Sequence, residues 1–254
     1  MSRLEKINID FSYMSLEHKI MQTNADGSYT VIVGAFNIWS GNGHFYEYTD
    51  LVKSIYAEGS ILQQRVEAGD VLVEDGHPPY VPGMDVAVYL ESLMTLTESK
   101  VCGKILRIKL DDNPTVMPGH SQPVYLVKAN IIPFGDRQEV LERSFKNPNS
   151  NTAFSIRGLN HAKRIGGVLY KETHTVMTYD FVRIPGISLA SKSNWEGISL
   201  ESMDITLSPE DIAHLSDRLD ERSKGATEAE ELLISEIRNS ISGCSQGDCI
   251  YKQW

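Results

Sequence analysis

Strand-forming runs follow one another along this chain with few helical stretches between them, and the longest run constrains the fold most. Val168 to Ile184, VLYKETHTVMTYDFVRI, is rich in β-branched and aromatic residues and contains neither glycine nor proline. Further strands are expected at Tyr29 to Asn37, Asp85 to Leu96, Val101 to Leu110, Val124 to Ile132 and Thr152 to Leu159. A short apolar run, Val71 to Val73, ends at Glu74-Asp75-Gly76-His77-Pro78-Pro79, where the prolines forbid a helix. Such a succession predicts an all-β or α+β core of barrel type, not a doubly wound sheet.

Helical spacing shows in fewer places. Leu51, Val52, Ile55, Ile61, Leu62 and Val66 recur at helical intervals over Asp50 to Ala68, with Thr49 as N-cap and Gly59 dividing the stretch. Asp136 to Phe145 reads as a short helix with Val140 and Leu141 turned inward. After Pro185-Gly186 the chain becomes serine-rich. Ser208-Pro209 then opens a helix, and a second is expected over Thr227 to Ile241, with Leu232, Leu233, Ile237 and Ile241 on its apolar side. These readings divide the chain into an N-terminal arm over 1–28, a core over 29–190, and a C-terminal part over 191–254. That last part holds a serine-rich linker, two helices forming an appendage, and a loose tail.

The formal net charge of −10 over 254 residues, with no basic stripe, argues against a nucleic-acid partner. No window approaches the roughly twenty apolar residues that span a bilayer, and the charged N-terminus lacks a secretory core. No membrane partner is expected, and a cytosolic setting is. Cys102, Cys244 and Cys249 are too few for a disulfide framework, and the last two read as free thiols in a polar tail.

Polar residues in apolar surroundings mark the candidate chemistry. Ser155 lies between Phe154 and Ile156, and strand alternation puts it on one face with Arg157. A serine beside an arginine suits a nucleophile near an anion-stabilising group, or simply the wet face of an edge strand. His77, held between Gly76 and Pro78, is a candidate general base or a surface-loop histidine. Asp180, embedded among Tyr179, Phe181 and Val182, is costly to bury alone. It could orient His77, or form an ion pair with Arg157 or Arg183. His174, six residues earlier on the same face of the same strand, is the fallback third member.

Three segments in series resemble the prohead proteases of tailed phages: Ser40-Gly41-Asn42-Gly43-His44-Phe45-Tyr46; Gly69 to Pro78, similar to the family's Gly-Glu-x-Gly-His-Pro motif but with Val73-Glu74 in place of Gly-Glu; and Asn151-Thr152-Ala153-Phe154-Ser155-Ile156-Arg157, similar to Phe-Ser-x-Arg. Met177 to Gly186 looks like the strand closing the protease domain, and the likeness covers roughly residues 29 to 186. The resemblance implies a fold like the herpesvirus assemblin protease, a β-barrel surrounded by helices. It also implies an enzyme inside the immature capsid, in the host cytoplasm, that cleaves scaffold or core proteins, the major capsid protein and finally itself.

On that reading Ser155 is the nucleophile, His77 the general base and Asp180 its orienter. Arg157 supplies the oxyanion site through its backbone N–H or an ordered water, and no cofactor or metal is needed. Family members often cut after glutamate, so Glu236, in Ile234-Ser235-Glu236, marks a candidate self-cleavage site. The resemblance leaves room for a homo-oligomer. A non-catalytic capsid scaffold or structural protein is the rival reading. An esterase ranks lower, because no Gly-x-Ser-x-Gly elbow surrounds Ser155.

Overall fold

The computed structural model describes residues 23–116, 122–192, 203–206, 209–242 and 250–253. The strands are β1 (Tyr29–Phe36), β2 (Ile38–Trp39), β3 (His44–Tyr46), β4 (Leu72–Glu74), β5 (Val101–Leu110), β6 (Tyr125–Pro133), β7 (Ala153–Ile165), β8 (Val168–Val182), β9 (Met203–Thr206) and β10 (Ile250–Gln253). The helices are α1 (Asp50–Ile55), α2 (Ile61–Ala68), α3 (Val86–Met94), α4 (Gln138–Lys146), α5 (Pro209–Ser223) and α6 (Glu228–Ser242). The fold is therefore α+β.

A four-stranded sheet runs β1-β6-β5-β4 and a six-stranded sheet runs β2-β3-β8-β7-β10-β9. Both edges of the smaller sheet meet the β7–β8 hairpin, β1 against β7 and β4 against β8. The smaller sheet thus curls over the hairpin as a half-barrel. Val31, Val33, Ile105, Val127, Ile131, Phe154, Ile156, Tyr179 and Phe181 fill the space between them. Each such side chain contributes about 2 kcal/mol by leaving water.

Gly166 and Gly167, at φ 58° and 86°, close the hairpin in the left-handed region that two-residue turns of this kind require. The pairing slips at two points. Arg157 faces Thr178 while Gly158 faces Val176, and Leu159 faces Thr175 while Asn160 faces Thr173. Met177 and His174 are the extra residues, and each bulge bends β8 and reverses its face alternation.

One expectation changes. Asp85 to Leu96, read as a strand, is helical over α3, because the Asp85 side chain accepts from Ala87 and Val88 N–H as an N-cap. Its buried residues Ala87, Tyr89, Leu90, Leu93 and Met94 recur at three- and four-residue intervals. The C-terminal helices pack on α3, α2 and β8. Leu215, Leu219, Leu233, Ile234, Ile237 and Ile241 join α3, Leu159 and Met177 in a second core on the outer face of β7–β8. Ala190 is itself buried and its carbonyl accepts from Phe154 N–H, so the chain passes the expected boundary within the packed molecule. β10 then pairs with β7 over Arg157 to Leu159.

Of the N-terminal arm, residues 1–22 lie outside the described residues. From there Thr23 bridges to Tyr29, and burial begins at Ser28. Cys102 is a buried free thiol; Cys244 and Cys249 lie outside the described residues. Among the described residues no helix is long and apolar enough to cross a membrane.

Candidate active site

Ser155 and Asp180 stand directly opposite each other on the β7–β8 ladder, so both side chains rise from the same face. Cα atoms in such pairs are about 4.5–5.5 Å apart. Arg157, two residues along β7, shares that face. Its Nε donates to Asp180 Oδ2 at 2.8 Å, and its Nη2 donates to Asp180 Oδ1 at 2.7 Å and Glu74 Oε2 at 2.5 Å. Nη1 reaches the Leu93 carbonyl at the end of α3, at 3.3 Å.

His77 arrives from β4. Asp75 bridges to Phe181 in parallel, and the Gly76 N–H donates to the Phe181 carbonyl at 2.8 Å. Gly76 takes φ 84°, a turn that any side chain would strain. The turn carries His77 onto Asp180, whose Oδ2 lies 2.7 Å from Nδ1. An ionised carboxylate only accepts, so Nδ1 is the donor in this contact.

The site is dry. Asp180 and Glu74 are fully buried, Arg157 and Ser155 nearly so, and the His77 side chain is 5% exposed. Burial alone would push the Asp180 carboxyl up; the Arg157 charge and the His77 contact overcome it and hold it below the usual carboxylate range. Burial likewise opposes the Arg157 charge, and Asp180 with Glu74 more than offsets that, raising its pKa. Two buried polar atoms lack a hydrogen-bond partner among the described residues of this site, Ser155 Oγ and His77 Nε2. Ser155 also lines a pocket with Val33, Gly34, Tyr179, Ile187 and Ala190, between the edge of β1 and β7.

The structure thus brings Ser155, His77, Asp180 and Arg157 into one cluster. His174 is not part of it. It stacks on His161 with centroids 3.5 Å apart and faces Glu172 at 3.5 Å, further along the hairpin toward its turn. The Arg157 side chain is committed to two carboxylates, and its backbone is flanked by β8 and β10. Glu236 lies on α6, half-buried, and burial raises its carboxyl to about 7 against the opposing charge of Arg65.

Glu74 is the residue that sequence reasoning passed over. In the sequence it stands out only as part of a motif, although a carboxylate closing an apolar strand is the same signal that marks Asp180. Its Oε1 accepts from the Thr97 N–H and its Oε2 from Arg157. Among the described residues no group of three metal-ligating side chains is assembled.

The family model described as Peptidase S80 family matches residues 12–239. A protein of Pseudomonas phage phiKZ, named capsid maturation protease, is 30% identical over 187 residues; the match covers 72% of this chain and 66% of that protein. No solved structure matches the chain.

Proposed function

The chain belongs to the Peptidase S80 family, and from that premise we propose that it is a serine endopeptidase of phage capsid maturation. In this reading it acts inside the prohead on scaffold or core proteins and the major capsid protein, and its fold is of the herpesvirus-protease kind. One observation carries the proposal. The Asp180 carboxylate that faces Ser155 across the ladder also holds His77 by Nδ1, and the two atoms without partners are Ser155 Oγ and His77 Nε2.

His77 Nε2 takes the proton from Ser155 Oγ as that oxygen attacks the scissile carbonyl. The imidazolium, held by Asp180, returns the proton to the leaving amine, and water then releases the acyl group by the same route. General-base assistance of this kind is worth about 10²–10⁴-fold. An oxyanion contact at Arg157 would have to come through an ordered water, since its guanidinium and backbone are both engaged. Self-cleavage after Glu236 is part of the proposal and requires α6 to unwind, since a protease accepts an extended chain.

A non-catalytic capsid scaffold protein has no need of a buried, hydrogen-bonded His–Asp pair beside a serine. The two readings separate on intact mass over time for the parent and Ser155→Ala. Self-truncation in the parent that disappears in the variant supports the protease and locates its preference. A parent and variant that both stay whole, and both fail to cleave added capsid scaffold protein, would overturn it.

A further inference from the structure

The buried charges around His77 do not cancel. Asp180 and Glu74 contribute two negative charges and Arg157 one positive charge, all nearly or fully withdrawn from water. Both Glu74 oxygens accept hydrogen bonds, from the Thr97 N–H and from Arg157, the arrangement of an ionised carboxylate. Among the described residues, Cys102 on β5 senses Asp180 and Tyr89 on α3 senses Arg157, while Asp75 lies two residues before His77. Burial pushes the Cys102 thiol and the Tyr89 hydroxyl up, so neither is charged near neutral pH. Asp75 is paired with Arg137 at 2.6 Å toward the surface.

An Arg157–Asp180 pair alone would be neutral and would attract an imidazolium weakly. With Glu74 taking one arm of Arg157, the set carries one net negative charge. That charge is balanced only when His77 is protonated. Resting on the serine-protease reading above, we propose that Glu74 is a positioning residue. It occupies Arg157 so that Asp180 keeps its attraction for the His77 imidazolium that forms as Ser155 attacks. Preorganised buried charge of this kind acts most strongly where water is excluded.

The test is the His77 imidazole titration, followed by NMR in the full chain for the parent, Glu74→Gln, Arg157→Gln and the double variant. Pairwise charge effects in such sites are about 1 pH unit. Removing a negative charge disfavours the imidazolium, so Glu74→Gln moves the midpoint down by about that amount. Arg157→Gln moves it up. The double variant, again with one net negative charge, returns near the parent.

A structural role for Glu74 predicts no such ordering, since both single variants would loosen the site alike. An unchanged or raised midpoint in Glu74→Gln, or a double variant below it, overturns the inference. Where Glu74→Gln does not fold, the order of Arg157→Gln above the double variant and the double variant level with the parent decides. Ser155 labelling by a fluorophosphonate, run in parallel, tests the underlying reading separately. Loss of labelling in Ser155→Ala upholds it, and labelling indifferent to Ser155 sinks it whatever the midpoints do.

Discussion

The Asp180 carboxylate accepts from His77 on one oxygen and from Arg157 on both, so orienting the imidazole and pairing with a guanidinium are one arrangement, not alternatives. Removing its charge while keeping its shape should reverse the His77 tautomer, because an amide can donate to Nδ1. Asp180→Asn is expected to lower kcat/KM for peptide hydrolysis by about 10³–10⁴-fold, the scale of that change in serine hydrolases. Stability shifts as well, with a defined sign. A carboxyl held below its ordinary value contributes stability that is complete above that value and is lost as pH falls through the folded one. Acid unfolding of the parent should therefore be steeper below pH about 4 than that of Asp180→Asn.

At the scale of elements, the site depends on how β7 and β8 depart from regularity. A Cβ on Gly158 would lie 2.3 Å from the Thr175 carbonyl oxygen, an approach that no side chain tolerates and that backbone must move to relieve. Gly158→Ala is expected to destabilise by about 1–3 kcal/mol, read from the denaturant midpoint. It should also slow Ser155 chemistry, since Arg157 is the preceding residue. Arg65 supports the same bulge from α2, its Nη1 donating to the Met177 carbonyl at 3.0 Å and to that of Val176 at 3.3 Å. Period-two reasoning carried Ser155 and Arg157 correctly to one face because β7 holds register between them. It carries no information on distance along the strand, and His174 pairs with His161 and Glu172 nearer the hairpin turn. The helix α3 escaped for a related reason: Val86-Ala87-Val88-Tyr89 has strand-like residues, and the Asp85 cap and the apolar faces of α5 and α6 outweigh that preference.

For the molecule as a whole, the C-terminal helices are part of the body that holds the site. The capping box at Thr227 and Glu230 starts α6, with Thr227 N–H donating to Glu230 Oε2 at 2.9 Å. The helix then packs on α2 and β8. That packing buries Glu236, whose carboxyl titrates at about 7 against an ordinary 4.5. The folded state holds the proton where the unfolded chain releases it, so stability falls as pH rises from 4.5 to about 7 and stays reduced above. Glu236→Gln should therefore raise stability at pH 8 by about 1–3 kcal/mol and leave it nearly unchanged at pH 4. Parallel urea titrations at the two pH values measure the difference.

The sequence alone determined where most strands and helices run, because alternation, helical spacing, caps and glycine turns act between residues close in the chain. It also pointed to Ser155, His77 and Asp180, each a polar group in a place where desolvation makes polarity expensive. The pairing of Glu74 with Arg157, the stacking of His174 on His161 and the docking of α5 and α6 were decided only in three dimensions. Each depends on which distant charge or apolar face comes to lie opposite, and that follows from register, bulges and closure of the half-barrel.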